Sequence, residues 1–320
     1  MDPRAFVEPL GDGLYCIDTG FHRPRFDAAY LLVDHGRAAF IDTGTNFALP
    51  RLLAALTHVG LAPADVDWVI PTHVHLDHAG GAGALMRALP HARMAVHERG
   101  APHMIDPGVL EAAATMIYGE EEMARSYGEL VPVDEQRVVT TSEGFALEVG
   151  QRRIEFIDAP GHARHHHGVW DAASRRWFTG DNFGLSYDEL TNANGRFVLP
   201  STTPVQFEPE ALKATVGRML EREPAAMCLT HFGLVRDVPR LSRMLLEQID
   251  EMAALGHAHR DAADRQPVLE AGLADLYRRR LVAHGFTGDV DAKIELLALD
   301  IQLNAEGLVA WLDRERRKRA

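Results

Sequence analysis

The chain has 320 residues, 46% apolar and 25% charged, the make-up of a soluble globular protein long enough to bury a large core. No run approaches the ~18 consecutive apolar residues of a membrane span, so no membrane partner is expected. The formal net charge of −13 is concentrated upstream. From Arg240 onward 13 Lys and Arg stand against 14 Asp and Glu, leaving 20 against 32 before it. Such a surface repels phosphate backbones, which argues against a nucleic-acid partner.

Cys16 and Cys228 are isolated from one another and read as small buried residues in a reducing compartment. The opening Met1-Asp2-Pro3-Arg4-Ala5-Phe6 has no apolar stretch of signal-peptide type, so a cytoplasmic location is expected.

In chain order, Leu14-Tyr15-Cys16-Ile17-Asp18 is the first predicted strand. Residues 29–33 and 38–41 follow as a hairpin closed by Asp34-His35-Gly36-Arg37, a polar turn containing glycine. It runs into Asp42-Thr43-Gly44. A helix is predicted from Phe47 to Val59, stopping at Gly60. The apolar run 66–70 reads as a buried strand.

The next stretch, Pro71-Thr72-His73-Val74-His75-Leu76-Asp77-His78-Ala79-Gly80-Gly81, is the most informative. His73 and His75 are two apart, so an extended strand end points both imidazoles to one side. Asp77 and His78 fall where the chain must turn into a helix, and the glycine pair permits close backbone approach. Imidazole and carboxylate together suit a borderline cation such as Zn²⁺. The stretch reads as a metal site.

A short helix over 81–89 and a strand over 93–97 come next. Residues 98–107 read as a loop or broken helix and 109–127 as a helical insertion, serving either as a lid with an apolar wall or as packing. His97 and His103 read as ordinary polar residues. Strands are predicted over 145–149 and 153–157, then a hairpin over 169–171 and 176–179. Residues 184–207 form an irregular loop near the site, whose Tyr187 either donates a hydrogen bond to a substrate carbonyl or, the favoured reading, keeps its ring packed and its hydroxyl wet. Pro209 opens a helix reaching Arg222, and 226–230 is a short buried strand. Beyond residue 238 the pattern is helical, with segments near 239–255, 268–284 and 291–317.

His-x-His-x-Asp-His at 73–78 resembles the signature of the metallo-β-lactamase superfamily. The resemblance extends through Asp42-Thr43-Gly44, Asp158-Ala159-Pro160-Gly161-His162, Gly180-Asp181 and His231-Phe232-Gly233, covering roughly residues 10–235. It implies an α/β fold, the four-layer αββα sandwich, as a catalytic domain over 1–238 with a helical C-terminal extension over 239–320. It also implies His73, His75 and His162 around one ion, Asp77, His78 and His231 around a second, and Asp181 bridging them. Asp42 is the candidate for orienting a ligand histidine from behind. Within the tract His165-His166-His167, His166 is the one expected to face the site, either behind a ligand or against substrate. Ala163 and His165 depart from the Gly-His-Thr-x-Gly common in such families.

The resemblance implies two divalent ions, zinc first with iron or manganese as alternatives. The implied activity is a dinuclear hydrolase in which a metal-bridging hydroxide, oriented by the catalytic Asp77, attacks a small-molecule ester, thioester, lactone or amide. A mononuclear iron sulfur dioxygenase on the same fold and a metal-bearing binding scaffold are the alternatives. The C-terminal helices are expected to roof the cleft, pack on the catalytic domain, or pair two copies as a homodimer.

Overall fold

The computed structural model describes residues 2–202 and 206–319. Residues 203–205 of the expected loop and the last residue of the tail lie outside them. The chain packs as two compact units. The first comprises Met1–Asp158, His165–Gly180 and Glu223–Arg236, and the second Ala159–Arg164, Asp181–Arg222 and Asp237–Ala320.

The first unit holds both sheets. One has seven strands in chain order: β1 (Val7–Gly11), β2 (Leu14–Asp18), β3 (Ala28–Asp34), β4 (Arg37–Ile41), β5 (Val66–Ile70), β6 (Arg93–His97) and β7 (Val138–Thr141). Strands β1 to β4 are antiparallel, and β4 to β7 run parallel. The other sheet contains β8 (Ala146–Val149), β9 (Arg152–Asp158), β10 (His167–Asp171), β11 (Arg176–Gly180), β12 (Ala226–Leu229) and β13 (Gly233–Val235), ordered β13-β12-β11-β10-β9-β8.

Strand periodicity sorts the core into two layers. On β3, Tyr30 and Leu32 join Leu14, Ile41 and Ile70 against Leu147, Ile154, Phe156, Val169 and Phe178 of the second sheet. Ala29 and Leu31 point the other way, with Phe40, Val69 and Met94, onto Leu52 and Leu56 of the helix Leu49–His58 and Leu85 of the helix Ala82–Ala88. Cys16 and Cys228 are free and buried between the sheets, where burial pushes both thiols up. That matches their reading as small core residues.

Strands β1, β7 and β13 were not foreseen from the sequence. Strand β1 carries Pro9, which reads as a strand breaker and is tolerated on an edge. Strands β7 and β13 have only four and three residues, too few to show alternation. The helix expected over 109–127 breaks at Gly119, whose φ is 84°. It becomes Gly108–Tyr118, a short turn Glu120–Glu122 and the wider turn Met123–Tyr127. Pro102 lies in the first turn of the helix Ala101–Ile105, where its missing N–H costs nothing.

The second unit is helical: Pro209–Leu220, Val238–Ala258, Arg265–Ala283, Val290–Leu296 and Ala298–Arg319. The expected 291–317 helix is thus interrupted at Leu297. Leu241, Leu245, Ile249 and Met252, then Leu269, Leu273 and Leu276, are buried at helical spacing. Tyr187 differs from expectation. It is fully buried, and its hydroxyl donates to Asp300 Oδ1 at 3.1 Å because that phenol must find a partner away from water. Among the described residues no helix is long and apolar enough to cross a membrane.

Gly83 supplies a test of this packing. It lies in the helix Ala82–Ala88, where alanine would ordinarily be the better helix former by about 1 kcal/mol. A Cβ there would stand 1.7 Å from the carbonyl oxygen of Val131. Gly83→Ala is therefore expected to destabilise by about 1–3 kcal/mol, as overpacking does. A raised melting temperature would overturn this.

Candidate metal centre

Strands β4 and β5 are parallel neighbours with Ile41 opposite Ile70, so Asp42 and Thr72-His73 leave the sheet at one edge. The chain then turns into the four-residue helix Leu76–Ala79, which carries Asp77 and His78. Gly81 makes this turn possible. Its N–H donates to the Gly44 carbonyl at 2.8 Å, and a Cβ would meet the Thr45 oxygen at 2.6 Å. His231 comes from the end of β12. That end is tied to β3, where Ala28 N–H donates to Thr230 O at 2.8 Å and the Tyr30 hydroxyl to Leu229 O at 2.5 Å.

Asp77, His78 and His231 thereby offer three ligand atoms within 4.8 Å of one another. His78 is fully buried, His231 is 6% exposed, and the Asp77 side chain is 26% exposed. His78 Nδ1 lies 2.9 Å from Asp42 Oδ2, and His231 Nδ1 lies 3.0 Å from the carbonyl oxygen of Phe26. Both oxygens can only accept, so each Nδ1 carries the proton and each Nε2 presents its lone pair. Those two Nε2 atoms face Asp77 Oδ2 at 3.7 and 3.3 Å.

Asp42 organises this arrangement. Its carboxylate is 1% exposed and accepts from Thr72 N–H at 2.7 Å, Thr72 Oγ1 at 3.0 Å, Thr230 Oγ1 at 2.8 Å and His78 Nδ1. Its φ of 55° lies in the left-handed region, which Asp tolerates better than most residues. Thr72 and Thr230 were not singled out by the sequence reading, yet a signal was present. Each directly precedes a ligand-position histidine, in Thr72-His73 and in Thr230-His231. Nearby, burial raises the Asp27 carboxyl to about 7, with His231 opposing the shift.

His73 and His75 point to one side as the spacing predicts. Their rings are 4.4 Å apart, with His73 Nε2 and His75 Nδ1 separated by 2.8 Å. His166 is fully buried and stacks on His73 at 4.7 Å, with 19° between the ring planes. Gly180 makes room for it: its φ is 47°, and a Cβ there would lie 2.5 Å from His166 Nε2. His165 sets its edge to His75 at 5.2 Å. His167 faces inward, with Nδ1 2.6 Å from Thr141 Oγ1, and burial pushes its imidazole down to about 3. It is a neutral core residue. His97 pairs with Asp158 at 3.0 Å and His103 packs beside His165 at 6.5 Å.

The second unit carries His162 and Asp181. Gly161, at φ 140°, passes so close to Leu212 that a Cβ would lie 2.3 Å from its Cα. That contact accounts for glycine before His162. His162 Nδ1 lies 3.2 Å from the Ser201 carbonyl oxygen, and His162 Nε2 faces Asp181 Oδ2 at 3.4 Å. The Ser201 hydroxyl donates to Asp181 Oδ2 at 3.0 Å, and Asn182 links the His162 N–H to the Ala159 carbonyl. Ser201 and Asn182 had no local sequence signal.

One pattern therefore repeats at His78, His231 and His162. Nδ1 is held by an oxygen acceptor, and Nε2 faces a carboxylate oxygen at 3.3–3.7 Å. A lone pair facing a carboxylate is repulsive without a cation to share. The separations exceed the roughly 2.7–2.9 Å of a charge-assisted hydrogen bond. Two ligands about 2.0–2.1 Å from a tetrahedral Zn²⁺ would stand roughly 3.4 Å apart. The donor set fits a divalent metal.

The sequence pattern of the metallo-beta-lactamase superfamily matches residues 11–231. The chain belongs to that superfamily. It is 25% identical over 242 residues to the metallo-beta-lactamase fold-containing protein ST1585 of Sulfurisphaera tokodaii, covering 74% of this chain and 84% of that protein. It is 29% identical over 190 residues to the chicken (Gallus gallus) acyl-coenzyme A thioesterase MBLAC2, covering 54% and 64%. Among solved structures, the metallo-beta-lactamase family protein TTHA1429 of Thermus thermophilus superposes with a TM-score of 0.67 at 20% identity. That match covers 96% of this chain and 95% of the other. The fold is the superfamily's αββα sandwich with a helical C-terminal region. Members bind divalent metals, and this chain has His/Asp groups able to hold them.

Proposed function

We propose that this metallo-β-lactamase-fold protein is a metal-dependent hydrolase acting on a small-molecule ester, thioester, lactone or amide. The observation that carries the reading is the trio Asp77, His78 and His231, with both imidazole tautomers set from behind and both Nε2 atoms turned to one carboxylate. In this reading Asp77, His78 and His231 would hold one divalent ion and His73, His75 and His162 another, with Asp181 as a further carboxylate ligand. The assignment of the second set rests on the order of motifs along the chain.

When bound, the ions supply Lewis acidity and a lowered pKa for coordinated water. The protein's own residues do the rest. Asp42 keeps the proton of His78 on Nδ1, and the Phe26 carbonyl does the same for His231, so both Nε2 atoms stay available as ligands. Asp77 is the general base and proton carrier. Its side chain is the most open of the trio, at 26% exposure, so a proton taken up by the carboxylate can pass to the departing group or to solvent. Overall, water oxygen joins the acyl carbon, the bond to the leaving oxygen, sulfur or nitrogen breaks, and the leaving atom takes the proton. The likeness to an acyl-coenzyme A thioesterase supports including thioesters among the substrates.

The test is metal content per chain, by mass spectrometry of protein purified without added metal or chelator, followed by an ester, thioester and lactone screen. About two zinc ions per chain are expected, with hydrolysis abolished by chelation and restored by metal. One iron per chain with oxygen uptake on persulfides and no hydrolysis would replace this reading with sulfur dioxygenation. No metal uptake on titration would leave only a binding scaffold.

A further inference from the structure

The loop that leaves Asp181 comes back to it. Gly184 N–H donates to the Asp181 carbonyl at 2.9 Å, and Leu185 and Leu199 donate to each other's carbonyls at 2.9 and 3.0 Å. That pairing returns Pro200, Ser201 and Thr202 to Asp181, whose Oδ2 accepts from the Ser201 hydroxyl while the Ser201 carbonyl holds His162 Nδ1. Ser201 itself lies in no helix or strand. Its two groups keep those directions only if the backbone on either side of it is fixed.

One side chain of the C-terminal helix Ala298–Arg319 fixes both sides. Asn304 is 2% exposed. Its Nδ2 donates to the Pro200 carbonyl at 3.0 Å, and its Oδ1 accepts from Thr202 N–H at 2.8 Å. The pair of bonds straddles Ser201. A carbonyl can only accept and a backbone N–H can only donate, so the amide has a single orientation. Nδ2 also donates to the Tyr277 hydroxyl at 2.8 Å, and Thr202 Oγ1 donates to the carbonyls of Leu303 and Asn304 at 3.3 Å. One turn earlier on the same helix face, Asp300 accepts from Tyr187 of the same loop. A buried amide costs stability unless its hydrogen bonds are made, and here they are made to the two neighbours of Ser201. All these residues belong to the second unit.

We propose that Asn304 is a positioning residue for the metal centre. By clamping Pro200 and Thr202 it aims the Ser201 carbonyl at His162 Nδ1 and the Ser201 hydroxyl at Asp181, which leaves the His162 Nε2 lone pair for a cation. The inference rests on the reading in which His162 and Asp181 are ligands, and it gives the helical extension a part in forming the centre. A loop ordered in advance does not have to be ordered when the ion binds, so the clamp raises metal affinity.

Metal-stripped protein titrated with Co²⁺ and followed by visible absorption reads both occupancy and ligand geometry without activity. Wild type is expected to take up about two ions per chain. In Asn304→Ala one uptake phase should weaken by about 10- to 100-fold, the usual loss when support behind a ligand is removed. Its cobalt spectrum at saturation should change, and the other phase should not. Tyr277→Phe is the control. It removes the third partner of the Asn304 amide and leaves both bonds to the loop, so it should lower the melting temperature and preserve both phases. Thr202→Val removes only a hydroxyl and its bonds to the helix. It should weaken the same phase by a smaller factor, and it decides the matter if Asn304→Ala does not fold. Unchanged phases in the folded variants, a loss in Tyr277→Phe as large as in Asn304→Ala, or no metal uptake by wild type would overturn the proposal. Hydrolysis by wild type with unchanged phases in the variants would leave the hydrolase reading standing without it. Selective weakening of one phase, in a protein that hydrolyses no ester, thioester or lactone, would support the role of Asn304 and sink the hydrolase reading.

Discussion

Asp42→Asn is expected to weaken metal binding by about 10- to 100-fold, the usual loss when a residue behind a ligand histidine is changed. The substitution keeps the volume of the side chain and turns the acceptor at Oδ2 into a donor. Thr72 N–H and Thr72 Oγ1 both donate to Asp42 Oδ1, so the asparagine oxygen takes that place. Its NH₂ group then faces His78 Nδ1, 2.9 Å away, and Thr230 Oγ1. To accept from an amide, His78 must move its proton to Nε2, which removes the lone pair turned towards Asp77. Metal-stripped protein titrated in competition with a chromophoric chelator reads the change. Unaltered affinity, with the metal still held, would show that the His78 tautomer is set elsewhere.

Arg152→Ala is expected to cost about 3–5 kcal/mol of stability, as removing one partner of a buried ion pair does. Arg152 opens β9 and Asp171 closes β10, and their side chains are only 6% and 0% exposed. Arg152 Nε donates to Asp171 Oδ1 at 2.8 Å, its Nη2 to Asp171 Oδ2, and its Nη1 to the Asp12 carbonyl. Without the guanidinium, the donors left to Asp171 among the described residues are Ala173 N–H and the Ser174 hydroxyl, facing a charge buried away from water. Thermal and denaturant unfolding should both show the loss. The double variant Arg152→Met, Asp171→Leu should regain most of it, because two apolar side chains leave no orphaned charge. Equal loss in single and double variants would mean that the pair acts through shape alone.

Much of this protein is determined locally and could be read along the chain. The hairpin of β3 and β4, the strands β5 and β6 and the helix after Pro209 follow from alternation, turn chemistry and capping, which operate over a few residues. The ligand stretch 73–78 is equally local, since three histidines and an aspartate fall within six positions directly after a strand. Cys16 and Cys228 were legible as core because small apolar residues in apolar strands have few other places to go.

Tertiary structure decided what depends on partners distant in sequence. Asp42 is one acidic residue after a strand until Thr72, Thr230 and His78 converge on it. Thr230 lies 188 positions away, so no local pattern could announce it. Gly83 looks like a weak helix residue until the Val131 carbonyl fills the space of its missing side chain. Tyr187 was expected to wet its hydroxyl, and a carboxylate 113 positions on took that hydrogen bond instead. His165, His166 and His167 are chemically identical in sequence. The turn at residues 164–165 and the entry into β10 divide them between the edge of His75, the face of His73 and the core beside Thr141. Residue type and spacing specify which groups are available for chemistry. Which atom of each group is protonated, buried or turned to a ligand is decided by contacts that exist only once the chain has folded.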